Sequence, residues 1–196
     1  MTKESKKARG KLFIVSAPSG AGKTTLCHAL SRILKGLKHS VSYTTRSPRK
    51  GEINNVHYTF VTKNKFKEMI GKGAFAEWAV VHGNLYGTSV RRLQSLMKAG
   101  YDIILDIDTH GAHQMRRKFR DAVYIFILPP SFKALKERLK GRMSEPDEEI
   151  KKRLKRAKEE IASHKDYDYV IINDKFSKAI RALESIVIAE KHRIRE

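Results

Sequence analysis

The feature that most restricts the fold lies near the amino terminus. A short apolar run, Leu12 to Ser16, leads into Ala17-Pro-Ser-Gly-Ala-Gly-Lys-Thr24, after which Leu26, Ala29, Leu30, Ile33 and Leu34 recur at helical spacing. Strand, glycine-rich turn and helix in immediate succession fit the phosphate-loop pattern G-x-x-x-x-G-K-[ST], except that Ala17 stands in place of the first glycine. Gly20 and Gly22 permit backbone conformations in which successive N–H groups turn inward on phosphate oxygens. The helix opening near Lys23 adds the positive end of its dipole. Lys23 is placed to reach the β- and γ-phosphates of a nucleoside triphosphate, and the Thr24 hydroxyl to ligate Mg²⁺. The donor-binding stretch is therefore expected to be Ser19, Gly20, Ala21, Gly22, Lys23, Thr24 and Thr25.

The later half of the chain alternates between strand and helix patterns. Tyr101 to Ile107, Ala122 to Leu128 and Tyr169 to Ile172 read as strands. His113 to Phe119, Phe132 to Leu139, Glu149 to Ile161 and Ser177 to Arg193 read as helices. That rhythm predicts βαβ units, a parallel sheet flanked by helices and right-handed crossovers. Asp106 and Asp108 close the run Ile103-Ile104-Leu105, at the carboxyl rim where ligands bind in such sheets, so Asp106 is expected to serve Mg²⁺. Between residues 41 and 86 the rhythm breaks into short strands with a helix around Phe66, Met69 and Ile70, which predicts an inserted, mostly antiparallel lobe. Trp78 is expected in the core of that lobe, and Thr88 is expected to cap a helix running to Ala99. The expected organisation is a basic disordered tail (1–10), a core carrying the phosphate loop (11–40 and 87–196) with a helical lid (about 133–165), and the inserted lobe (41–86).

Composition narrows the setting. Hydrophobic residues make up 40% of the 196, enough for a core despite 32% charged residues. The single cysteine, Cys27, lies in a helical apolar pattern and is expected to pack rather than react. Ala122 to Leu128 is the longest apolar run and is too short to span a bilayer, and the basic amino terminus lacks the apolar stretch of a signal peptide. A soluble cytoplasmic protein, monomer or homodimer, with no membrane partner is the expectation. The net charge of +20 is spread along the whole chain, the basic run at 151–156 lacks interleaved aromatics and no nucleic-acid-binding motif is recognisable, so no specific nucleic-acid partner is expected.

Several segments together closely resemble guanylate kinases: Ser-Ala-Pro-Ser-Gly-Ala-Gly-Lys (16–23), Val-Ser-Tyr-Thr-Thr-Arg-Ser-Pro-Arg (41–49), Gly-Asn-Leu-Tyr-Gly-Thr (83–88) and Leu-Asp-Ile-Asp (105–108). Ile-Leu-Pro-Pro-Ser (127–131), Arg-Leu-Lys-Gly-Arg (138–142) and Ile-Asn-Asp (172–174) continue the resemblance in order along the chain. It implies an α/β phosphate-loop fold with a nucleoside-monophosphate lobe and a lid, and transfer of the γ-phosphoryl group of ATP to GMP or dGMP with Mg²⁺. By that resemblance Arg46, Arg49, Tyr58 and Tyr86 hold the GMP phosphate, while Ser42, Glu77, Thr88 and Asp108 contact guanine. Arg138, Arg142 and Arg153 act with Lys23 and Arg46 on the transferring phosphoryl group, and Asn173 lines the adenine pocket. These roles make chemical sense. Guanidinium forks grip a phosphate dianion bidentately, and one carboxylate accepts from both N1–H and N2–H₂ of guanine, a donor pair that adenine lacks.

Two departures stand out: Thr109-His110 follow Asp108 where many relatives carry tryptophan and glutamine, and Met143 follows Arg142 where glycine is common. His110 and His113 lack further ligands at zinc spacing, and His57 and His82 read as surface or satisfied residues. Lys151, Lys152, Lys155 and Arg156 read as a solvated helix face. A catalytically silent interaction module of the same family, a basic nucleic-acid binder and a kinase for another nucleoside monophosphate are the competing readings. The first of these typically lacks the phosphate-loop lysine or the donor arginines, which are present here.

Overall fold

The structure is a computed structural model that describes residues 8–81, 83–140 and 147–194. Arg142, Met143, His82 and the expected lid hinge at residues 141–146 lie outside the described residues. The chain runs β1 (Leu12–Ser16), α1 (Lys23–Ile33), β2 (Leu37–His39), β3 (Tyr43–Thr44), β4 (Thr59–Phe60), α2 (Lys63–Gly71), β5 (Phe75–Val81), β6 (Asn84–Ser89) and α3 (Val90–Lys98). It continues with β7 (Asp102–Asp106), α4 (Thr109–Lys118), β8 (Val123–Leu128), α5 (Phe132–Lys140), α6 (Asp147–Ala162), a 3₁₀ turn (Ser163–Asp166), β9 (Tyr169–Ile172) and α7 (Phe176–His192).

One sheet has five strands in the order β2-β7-β1-β8-β9, every pairing parallel. Its central strand, β1, is buried along its whole length, which is why it reads as an unbroken apolar run rather than an alternation. The period of two still sorts its side chains. Phe13 and Val15 join the core formed with α1 and α7, including Leu26, Cys27, Leu30, Leu183 and Val187. Leu12 and Ile14 join the opposite core with Leu93, Ala112 and Met115 from α3 and α4. Helices on both faces make this the doubly covered parallel sheet that the strand–helix alternation predicts, with Cys27 buried in its packing.

The second sheet has the order β4-β3-β6-β5. Its β3–β6 and β5–β6 pairings are antiparallel and its β3–β4 pairing is parallel, so the lobe sheet is mostly antiparallel. Its outer strand β5 is pinned to α4 of the parallel-sheet core. Gln114 reproduces a strand partner there, its Oε1 accepting from the Trp78 N–H at 3.2 Å and its Nε2 donating to the Trp78 carbonyl at 3.0 Å.

Three local expectations change. Thr88 does not cap α3: it is fully buried on β6, in register with Glu77, and Ser89 caps the helix by accepting from the Arg92 N–H. Trp78 is 38% exposed rather than core, because the alternation on β5 turns the neighbouring Glu77 inward. The helix expected from His113 begins at Thr109, since Asp108 caps it by accepting from the Gly111 N–H at 2.8 Å. Strand β2, which has no apolar alternation, is an addition supplied by pairing with β7.

Candidate active site

The carboxyl ends of β1, β7 and β9 bring the phosphate loop, Asp106 and Asn173 to one rim of the parallel sheet. Gly20 and Gly22 have φ of 88° and 89°, in the left-handed region that favours glycine, and Gly22 supplies the residue just before α1. A Cβ on Gly22 would stand 2.7 Å from Asn173 Nδ2. That approach is used: Asn173 Nδ2 donates to the Ala21 carbonyl at 2.7 Å, and the Asn173 carbonyl accepts from Arg138 Nη2 at 2.9 Å. The buried Asn173 side chain is thus turned onto the phosphate loop, and its backbone anchors the first lid arginine.

Lys23 opens α1 and its Nζ donates to the Ile107 carbonyl at 2.6 Å, directly beside the two rim carboxylates. Thr24 Oγ1 donates to Asp106 Oδ2 at 2.7 Å, while His39 Nε2 lies 2.7 Å from Asp106 Oδ1. Burial alone would raise the Asp106 carboxyl, but the His39 hydrogen bond, the Lys23 charge and the Thr24 hydroxyl together hold it down at about 2. The Thr24 hydroxyl and the Asp106 carboxylate are hard oxygen donors beside a phosphate cradle. Such a set fits Mg²⁺, which takes one or two protein oxygens and fills its octahedron with water and phosphate.

On the lobe, Glu77 is only 5% exposed and accepts from Thr88 Oγ1 at 2.5 Å. Its Oε2 lies 3.0 Å from where a Cβ on Gly111 would stand, and Asp108 Oδ1 lies 3.4 Å from the same point, so both carboxylates converge on the start of α4. Burial raises the Glu77 carboxyl to about 7, the Thr88 hydrogen bond opposes the rise, and the Asp108 charge adds to it. Ser42 is half-buried just before β3.

Arg46 forms a bidentate pair with Glu52, at 3.0 Å to Oε2 and 2.8 Å to Oε1, and Glu52 also accepts from the Arg49 N–H at 2.7 Å. The Arg46 guanidinium lies over the Tyr58 ring at 5.4 Å, and Tyr58 meets Tyr86 edge-on at 5.9 Å. Arg46, Tyr58 and Tyr86 therefore form one cluster, while the Arg49 side chain is exposed at its margin.

From the lid, Arg138 reaches the rim as described and Arg153 is half-buried on α6. Arg156, read from sequence as a solvated face, instead bridges two sites. Its Nη2 donates to Asp108 Oδ2 at 3.3 Å and its Nε to Glu160 Oε1 at 3.1 Å. Glu160, 8% exposed, in turn accepts from the Ser19 N–H of the phosphate loop at 3.3 Å. Sequence reasoning missed His39, Glu52, Arg156 and Glu160. Only the last pair carries a local signal, an i,i+4 spacing on α6 that is as common on solvated helices.

The sequence model described as Guanylate kinase matches residues 9–190. The guanylate kinase of Geobacter sulfurreducens is 54% identical over 187 residues, covering 95% of this chain and 92% of the relative. That of Geobacter metallireducens is 52% identical over 187 residues with the same coverage. The crystal structure of guanylate kinase from Anaplasma phagocytophilum matches with a TM-score of 0.77 at 32% identity, covering 95% of this chain and 89% of that one. A parallel sheet with a phosphate loop at its rim, a buried carboxylate on an inserted lobe and kinship over nearly the whole length lead to one conclusion: the chain belongs to the guanylate kinase family.

Proposed function

We propose that the chain transfers the γ-phosphoryl group of ATP to GMP, and less efficiently to dGMP, giving ADP and GDP. The observation that carries the reading is the buried Glu77–Thr88 pair facing Asp108 and Lys23, a base-reading carboxylate held within reach of a phosphate cradle. In the reaction a phosphate oxygen of GMP attacks the γ-phosphorus in line, the new P–O bond forms, and the bond to the ADP oxygen breaks. Little covalent chemistry is asked of the protein, so positioning and positive charge supply the catalysis.

Lys23 and the N–H groups from Ser19 to Thr25 hold the donor phosphates. Arg46, Arg49, Tyr58 and Tyr86 hold the acceptor phosphate. Glu52 keeps the Arg46 fork oriented before GMP arrives. Ser42, Glu77, Thr88 and Asp108 read guanine. An adenine in their place leaves the buried Glu77 carboxylate with the Thr88 hydroxyl but without the two purine donors, and that penalty is the basis of selectivity. Arg138, Arg142 and Arg153 approach the transferring group from the lid, and Asn173 holds the loop and lines the adenine side. Thr24 and Asp106 would hold Mg²⁺, which would supply positive charge to offset that of the donor phosphates. The inserted lobe and lid close over both nucleotides, keeping water from the γ-phosphorus.

The test is ADP release in a coupled assay with ATP, Mg²⁺ and each nucleoside monophosphate in turn. GMP is expected well ahead of AMP, CMP and UMP, with dGMP second. Equal turnover of AMP and GMP overturns the assignment.

A further inference from the structure

The carboxylate that ends β7 has a partner on a strand without any motif. Strand β2 lies at the sheet edge, and its last residue, His39, pairs in register with Ile104, which puts its ring beside the end of β7. His39 Nε2 stands 2.7 Å from Asp106 Oδ1, and Asp106 Oδ2 accepts from Thr24 Oγ1 at 2.7 Å, so each carboxylate oxygen has its own donor. The two side chains keep only 19% and 15% of their surface exposed, and water competes poorly for a bond so sheltered. The ring is steadied by His28 of α1, stacked on it with centroids 4.2 Å apart and planes 26° from parallel.

The geometry has a consequence for the neighbouring threonine. A hydroxyl has one proton and two lone pairs. While Thr24 gives that proton to Asp106 Oδ2, its lone pairs are left for another partner. With Oδ1 unheld, the carboxylate is free to rotate about its Cβ–Cγ bond, and the hydroxyl loses its fixed direction. We propose that His39 is a positioning residue for the donor site: its N–H locks Asp106 so that Thr24 presents its oxygen lone pairs to the metal carried by the nucleotide. The inference rests on the assignment of Thr24 and Asp106 to Mg²⁺. It needs no change of protonation, because both the Nε2–H tautomer and the imidazolium donate from that nitrogen. Partners that orient a ligating carboxylate typically change metal affinity by roughly 10- to 100-fold when removed. A metal held mostly by water and phosphate belongs at the lower end of that range.

The experiment compares His39→Phe, which keeps a ring against His28 but has no donor, with His39→Gln, which returns an N–H. Calorimetry measures ADP affinity in Mg²⁺ and in EDTA, and turnover is titrated with Mg²⁺. In His39→Phe the gain in ADP affinity conferred by Mg²⁺ is expected to shrink about 10-fold. Half-saturation by Mg²⁺ rises to match, and both ADP affinity in EDTA and KM for GMP stay at the wild-type values. His39→Gln recovers most of the loss. A packing role alone would lower the melting temperature of His39→Phe and leave the Mg²⁺ gain intact. That result, or a folded His39→Gln that recovers nothing, overturns the proposal. Absence of any Mg²⁺ gain in the wild-type protein overturns the assignment of Thr24 and Asp106, and the role of His39 with it.

Discussion

Burial of Glu77 raises its carboxyl to about 7, even though the Thr88 hydroxyl hydrogen-bonds to it and opposes the shift. A carboxyl in the unfolded chain titrates near ~4.3, so between the two values the folded protein binds the proton more tightly than the unfolded chain does. Stability therefore falls as pH rises across that window, by on the order of 3 kcal/mol, and stays low above it. The proposed reading of guanine by Glu77 needs the opposite condition, because only the ionised carboxylate accepts from both purine donors. Glu77→Gln is accordingly expected to melt higher than the wild type at about pH 8, with the advantage vanishing near about pH 5. The same variant loses roughly 10- to 100-fold in kcat/KM for GMP, as removal of a charge-assisted hydrogen bond predicts. Wild-type KM for GMP rises as pH falls through about 7, more steeply than in Glu77→Gln, where only the titration of GMP itself remains. Wild-type kcat/KM in the variant, or parallel pH profiles, would count against base reading by Glu77.

At the scale of elements, α6 links the phosphate loop to the head of α4. Glu160 ties it to the phosphate loop through Ser19, and Arg156 ties it to Asp108 at the head of α4. Arg156 is 59% exposed, so its ion pairs contribute no more than about 1 kcal/mol and the tie is a weak one that substrates can outbid. Arg156→Ala is expected to speed amide exchange along α6 by roughly three- to fivefold in the nucleotide-free protein and to leave β1 unchanged. Unaltered exchange in α6 would mean that the Arg156 tie contributes nothing and that the helix is held by the Glu160–Ser19 bond and by its apolar contacts, Leu135, Leu139 and Ala157. Strand β5 is held more firmly, by the Gln114 amide on the Trp78 backbone and by Lys118 Nζ on the Phe75 carbonyl at 2.7 Å. If the lobe closes as proposed, the movement is therefore expected in β3, β4 and the connection 45–58 that carries Arg46 and Glu52, with β5 staying on the core.

At the scale of the whole molecule the net charge of +20 exceeds what a nucleotide cleft needs. Both substrates are polyanions, so the surplus acts on their approach through the long-range field. That field is screened beyond about 10 Å at ~0.1 M salt and beyond about 3 Å at ~1 M. Raising NaCl across that range is expected to lower kcat/KM for ATP and GMP by several-fold, while kcat, which reports bound substrates, changes little. A salt-independent kcat/KM would show that the basic surface plays no part in substrate capture. Among the described residues no helix is long and apolar enough to cross a membrane.

The strand–loop–helix unit around Lys23 was legible because every term in it is local: two glycines one residue apart, a lysine and a hydroxyl bounded by a buried strand and an amphipathic helix. The buried runs of β7 and β8 were legible for the same reason, since strands covered on both faces are apolar throughout. Composition and order alone also announced the inserted lobe. What tertiary structure decided were the contacts that link distant positions. Thr88 and Ser89 are both competent helix caps, and a buried Glu77 needing a donor is what draws Thr88 into β6 and leaves Ser89 at the helix start. His39 sits on a strand that exists only through pairing with β7, and its bond to Asp106 spans 67 positions. Glu160 meets Ser19 across 141 positions, and no periodicity along α6 distinguishes it from the solvated acids beside it. Local chemistry sets which element forms, but a polar side chain's partner is chosen by whichever buried group would otherwise go unpaired, and that is known only once the chain has folded.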